Sequence, residues 1–128
     1  MKQLLLTIIA ILSSAMLSAA ADAPKNLTPD QAEKLLKEKK EIVVLDVRTP
    51  EEFKDGHIAG AKNVDFQSPD FKKEVAALDK SKTYLVHCAA GGRSARALKV
   101  LEGDKFEHLY HLNDGFSGWK EAGKPVAK

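Results

Sequence analysis

The chain has 128 residues, with 20 Lys and Arg against 18 Asp and Glu, and a single cysteine. That length holds one domain. The near-balanced charge, with no basic block, argues against a nucleic-acid footprint, and one cysteine excludes an internal disulfide.

Met1-Lys2-Gln3 is a short positive start. Leu4 to Leu12 is almost wholly apolar, and Ser13 to Ala23 turns to small residues. This is the order of a secretory signal peptide. Ala19-Ala20-Ala21 fits the small-x-small rule and places cleavage before Asp22. Cleavage after Ala23 also fits the rule but would leave Pro24 first. An uncleaved membrane anchor is the alternative, disfavoured by the short apolar core and the lack of a flanking charge after it. The expectation is a signal peptide over residues 1–21 and a single domain over 22–128, periplasmic and without stable membrane association once the signal is removed. A free thiol in an oxidising compartment is exposed to oxidation and to pairing, which hints that its chemistry is used.

Thr28-Pro29-Asp30-Gln31 reads as an N-cap, a proline at the first helical position and a capping-box glutamine. The helix it opens buries Ala32, Leu35 and Leu36 and ends in the solvated charged run Lys37 to Glu41. Ile42 to Leu45 is a continuous apolar run, as in a strand buried on both faces. Thr49-Pro50-Glu51-Glu52 repeats the helix-start signal, with Glu52 in the capping-box place. Ser68-Pro69 starts a third helix, with Phe71, Val75 and Leu78 on one face. Tyr84 to Val86 is a second core strand; Ala61 to Val64 and His108 to Leu112 are weaker strands. Ser94 to Leu101 is helical, with Ala97, Leu98 and Leu101 inward and Gly103 as its stop. Asp114 to Ala122 is a last short helix around Phe116 and Trp119. Strands alternating with helices predict an α/β three-layer sandwich around a mostly parallel sheet. Sites in such sheets form at the carboxyl ends of strands. Three segments end there: Asp46-Val47-Arg48, Cys88 to Arg93, and Asn113-Asp114-Gly115.

Cys88 sits at the end of a strand, followed by Ala89, Ala90, Gly91, Gly92, Arg93 and Ser94. The alanines add no bulk and the glycines let the backbone curl its N–H groups inward. The helix after Arg93 brings further free N–H groups and the positive end of its dipole. Together they form an anion nest centred on the sulfur, where a thiol gives up its proton more easily and the thiolate is the nucleophile. The alternative is a buried cysteine beside an ordinary glycine turn. His87 points to the face opposite Cys88 because neighbouring strand residues alternate, so it is read as structural rather than as a base. His108 and His111, three apart on a strand, fall on opposite faces, and no ligand cluster for a metal exists nearby.

Three stretches carry a family resemblance. "LDVRTPEEFKDGHIAGAKNVD" (Leu45 to Asp65), "CAAGGRS" (Cys88 to Ser94) and "LNDGFSGWKEAGKPV" (Leu112 to Val126) resemble, in order, the first signature, the active-site loop and the second signature of rhodanese-type sulfurtransferases. Cysteine-dependent phosphatases have a similar loop, down to the "HC" before and the "RS" after, but one residue longer between cysteine and arginine. The shorter loop leaves room for one more sulfur atom rather than a phosphoryl group.

The resemblance implies a two-step sulfur transfer without metal or organic cofactor. Cys88 would be the nucleophile and would form a persulfide with sulfur from thiosulfate or a similar small sulfur-containing anion. The acceptor would be cyanide or a thiol, including a protein thiol. The substrate-binding set it implies is Ala89, Ala90, Gly91, Gly92, Arg93 and Ser94, joined by Arg48. Arg93 either steers the anionic donor or braces the loop. Asp46 and Arg48 are favoured as a structural salt bridge that braces the loop, with a substrate contact by Arg48 left open; His57 is a structural contact, and Trp119 either lines the cleft or is simply buried. Some family members place basic residues immediately after the cysteine; Ala89 and Ala90 stand there here. A second class of reading therefore stays open: a persulfide relay without turnover, or a binding module for an exported partner.

Overall fold

The computed structural model describes residues 23–128; the expected signal segment, residues 1–21, lies outside the described residues. The elements follow in the order β1 (Lys25–Leu27), α1 (Pro29–Glu38), β2 (Val43–Asp46), α2 (Pro50–Lys54), β3 (Lys62–Asn63), α3 (Phe71–Ala76), β4 (Tyr84–His87), α4 (Gly92–Gly103), β5 (Leu109–Leu112) and α5 (Gly115–Glu121). The five strands form one all-parallel sheet in the order β1-β5-β4-β2-β3. This is the α/β architecture read from the alternating strands and helices.

Helices cover both faces, and two apolar clusters fill the layers. One packs Leu45, Val86, Cys88 and Leu109 of the sheet side against Phe71, Val75, Ala97, Leu98 and Leu101 of α3 and α4. The other packs Val44, Leu85 and Leu112 against Ala32 of α1 and Phe116 and Trp119 of α5. Alternate residues of each strand serve alternate layers, as the pleat demands. All four residues of β4 are buried.

The first two helix-start signals form as read. Thr28 and Thr49 each accept a hydrogen bond from the backbone N–H three residues on, while Gln31 and Glu52 close the capping boxes. The third differs. Helix α3 begins at Phe71, with Asp70 at the cap and no side-chain cap bond; Ser68 Oγ instead accepts from the Asp70 N–H at 3.2 Å, tightening a turn before the helix. Strand β1 is not among the strands expected from the sequence. Its three residues bury just Leu27, and it becomes a strand because β5 offers an edge on which Asn26 lies beside His111. No helix among the described residues is long and apolar enough to cross a membrane.

Candidate active site

The loop from Cys88 to Ser94 joins the carboxyl end of β4 to α4, in the middle of the sheet. Its conformation is fixed from outside by α5. The Phe116 N–H donates to the Cys88 carbonyl at 2.8 Å and the Ser117 N–H to the Ala89 carbonyl at 3.0 Å. With those carbonyls held outward, N–H groups turn in toward the sulfur. The Gly91 N–H donates to Cys88 Sγ at 3.0 Å, and Ser94 Oγ stands 3.3 Å from the same sulfur.

Two glycines make this approach possible. Gly91, the cap of α4, has φ +105°, and a side chain there would collide with the Asn113 carbonyl oxygen. Gly115 has φ +68°, and a side chain there would collide with the Ala89 carbonyl. The loop and the turn after β5 therefore touch backbone to backbone, which only glycine allows.

Cys88 is buried. Burial raises its thiol pKa, but the Ser94 hydroxyl and the N–H groups of Ser94, Gly91 and Ala90 outweigh that, and the thiol is held below its ordinary value. The start of a twelve-residue helix adds to the same field. The loop is thus a concentrated anion cradle with an ionisable sulfur at its focus.

Arg93 does not offer its fork to the cradle. Nη1 and Nη2 donate to Glu52 Oε1 and Oε2 at 2.8 and 3.0 Å, a bidentate pair that ties the loop to α2. This pair is the contact a loop brace would make. Glu52 also closes the α2 capping box, and its carboxyl is lowered to about 2, chiefly by Arg93. Glu52 therefore serves the loop as well as its own helix cap.

Arg48 requires a correction. It was expected to brace the loop with Asp46 and also to join the substrate-binding set, but its side chain is buried and its Nε and Nη2 are engaged elsewhere. Nε donates to both oxygens of Asp46 at 3.0 and 3.1 Å, and Nη2 to Oδ2 at 2.7 Å and to the Gly56 carbonyl at 2.8 Å. The cation also lies 4.1 Å over the Phe116 ring. It is a buried brace between β2, α2 and α5. Asp46, fully buried, accepts the Arg48 backbone N–H as well.

His87 lies on the face opposite the sulfur, stacked on Phe116. Nδ1–H donates to the Cys88 carbonyl at 3.0 Å, and Nε2 has no hydrogen-bond partner, with Asp46 Oδ2 3.7 Å away. Burial, only partly offset by Asp46, lowers its pKa and keeps the ring neutral. His57 stacks on Phe53 and bonds its carbonyl at 2.8 Å. Trp119 is buried, with its indole N–H on the Pro125 carbonyl. His111, noticed in the sequence only in ruling out a metal, is buried on the sulfur side, with Nε2 2.7 Å from Ser94 Oγ. No group of three or more potential metal ligands occurs among the described residues.

Comparisons with known proteins bear on the family and the fold. The rhodanese-like domain family model matches residues 28–122. The thiosulfate sulfurtransferase GlpE of Pseudomonas putida is 37% identical over 97 residues, covering 75% of this chain and 84% of that protein. Protein HIGH ARSENIC CONTENT 1, mitochondrial, of Arabidopsis thaliana is 37% identical over 89 residues, 62% of this chain and 53% of that protein, so the chain spans about half of that relative's length. The crystal structure of a rhodanese-related protein from Thermoplasma volcanium superposes with a TM-score of 0.71 at 29% identity, covering 80% of this chain and 97% of that one.

Proposed function

Since the chain belongs to the rhodanese-like domain family, we propose that it is a sulfurtransferase that carries sulfane sulfur on Cys88. The observation that carries this reading is the sulfur's position at the focus of inward N–H groups, with its pKa held down. In the first step the thiolate attacks the outer sulfur of thiosulfate. A new S–S bond forms, and the old one breaks with its electron pair leaving on sulfite. The persulfide's terminal sulfur keeps one negative charge, which the N–H groups from Ala89 to Ser94 stabilise. In the second step cyanide or a thiolate takes that sulfur, and the pair of the cleaved S–S bond returns to Cys88. This is covalent catalysis in ping-pong order.

The names of relatives such as the Pseudomonas putida thiosulfate sulfurtransferase support thiosulfate as donor. The loop's charge favours a second reading. Its own cation is paired with Glu52, and Ala89 and Ala90 supply none, so a dianion meets little attraction beyond the N–H groups. A persulfide relay handing sulfur to a protein thiol fits that weaker field. We extend the proposal to location: residues 1–21 direct export and the domain works in the periplasm, which N-terminal sequencing of the protein from that fraction checks.

The function is tested by initial rates with thiosulfate and cyanide. Parallel double-reciprocal lines, lost in Cys88→Ser, are expected. Intersecting lines, or full activity in the serine variant, would remove the persulfide from the mechanism. A relay would turn over slowly with cyanide yet exchange quickly with a protein thiol.

A further inference from the structure

The Cys88 thiol must lose its proton to give the thiolate that the proposed reaction needs, and the sulfur has no base beside it. His87, its neighbour in sequence, faces the other layer. The Cys88 side has one buried imidazole, and it is joined to the sulfur by a continuous chain. Cys88 Sγ is 3.3 Å from Ser94 Oγ, Ser94 Oγ is 2.7 Å from His111 Nε2, and His111 Nδ1 is 3.2 Å from Asn26 Oδ1. Three elements supply the chain: the start of α4, strand β5 and the edge strand β1. Asn26 and His111 are register partners in the sheet, so their side chains share one face.

The donor and acceptor roles along the chain follow from the far end. An amide oxygen can only accept, so Nδ1 carries hydrogen and the neutral ring presents a lone pair at Nε2. Ser94 then donates to Nε2, its shortest contact, in preference to the Gly91 carbonyl at 3.2 Å. That leaves the Ser94 oxygen lone pairs free to receive the S–H proton.

We propose that Ser94, His111 and Asn26 form a proton relay that ionises Cys88, resting on the sulfur-transfer reading for its use. In one step the S–H proton passes to Ser94 Oγ while the hydroxyl proton passes to His111 Nε2. The products are a thiolate, which then accepts the Ser94 hydroxyl, and an imidazolium bonded at both nitrogens. No proton is gained or lost by the site. His111 and Asn26 touch no substrate and are positioning residues; Ser94 touches the reacting sulfur.

The electrostatics agree with this division of labour. Burial first, and the nearby His87 second, lower the His111 pKa, so the ring is neutral and able to accept at neutral pH. It holds a proton only while the thiolate supplies the opposite charge. The groups on the relay are Cys88 and Ser94 from the β4–α4 side and uncharged Asn26 from β1; His87 of β4 is the titratable group that acts on it from outside the relay.

The test is the pH dependence of Cys88 alkylation by iodoacetamide on the purified protein, which needs no sulfur transfer. His111→Gln is expected to move the inflection upward by about one pH unit, a roughly tenfold loss of alkylation rate on its acid side. Asn26→Asp, at an exposed edge position, stabilises the imidazolium and is expected to move it downward. Ser94→Ala raises it and abolishes the effect of Asn26→Asp. An unchanged inflection in folded His111→Gln overturns the relay. If that variant does not fold, an unchanged or raised inflection in Asn26→Asp overturns it equally. Thiosulfate loading of Cys88, followed by mass in the same samples, separates the two claims: normal inflection shifts without loading by any sulfane donor sink the sulfur-transfer reading and leave the relay standing.

Discussion

Replacing Arg48 by methionine separates a brace from a substrate contact. Asp46 is fully buried, and Arg48 is its cationic partner, making three side-chain hydrogen bonds to it at 2.7–3.1 Å. Removing one partner of a buried pair leaves an uncompensated charge and costs about 3–5 kcal/mol. Methionine also gives up the bond to the Gly56 carbonyl and the contact on Phe116. The double variant Asp46→Asn/Arg48→Met should recover a large part of the loss, because no charge is then stranded and the asparagine oxygen still accepts the Arg48-position N–H. His87 adds a signature. Its Nε2 lies 3.7 Å from Asp46 Oδ2, and Arg48 is one of the groups that lower its pKa. In the single variant the stranded carboxylate favours the imidazolium, so the penalty should shrink as pH falls below the ordinary histidine value of 6.5. Urea unfolding of the three proteins across pH reads all of this. A single variant with native stability and a raised KM for thiosulfate would make Arg48 a substrate contact rather than a brace.

Gly91→Ala forces a side chain at φ +105° against the Asn113 carbonyl; the backbone conformation alone costs about 1–3 kcal/mol, and a thermal melt should fall while Cys88 loses the Gly91 N–H and its alkylation inflection rises. Glu52→Gln should cost about 0.2–1 kcal/mol at neutral pH, as befits a partly exposed pair. Because the folded carboxyl sits near 2 against an ordinary 4.5, its contribution is present above 4.5 and lost as pH falls toward 2, so the difference from the native protein in urea should shrink below 4.5. His87 and His111 both have pKa values lowered by burial. The unfolded chain therefore binds protons first, and the urea midpoint should fall as pH drops below 6.5; a flat midpoint over that range would contradict buried neutral rings.

The sequence displays the parts of the fold that local chemistry dictates. Both Thr-Pro-x-x helix starts are self-contained capping boxes, and the β-branched run before Asp46 announces a buried strand. The cradle was legible for the same reason: cysteine, two glycines and a helix start are consecutive. What was hidden depends on strand order. Nothing local says that β5 lies between β1 and β4, so nothing linked His111 or Asn26 to Ser94. Arg93 and Glu52 are far apart along the chain, and Glu52 had a sufficient explanation in its cap. The pairing of Asp46 with Arg48 was legible from their place in the first signature, whereas the Gly56 carbonyl and the Phe116 ring that also hold the guanidinium are brought to it only by packing of distant segments.

Intact mass spectrometry after incubation with thiosulfate asks directly whether Cys88 carries the sulfur. The expected result is a gain of one sulfur atom on the native protein, discharged by cyanide and absent from Cys88→Ser. A native protein that gains nothing from thiosulfate, mercaptopyruvate or small persulfides, or a Cys88→Ser variant that still gains the atom, would contradict it.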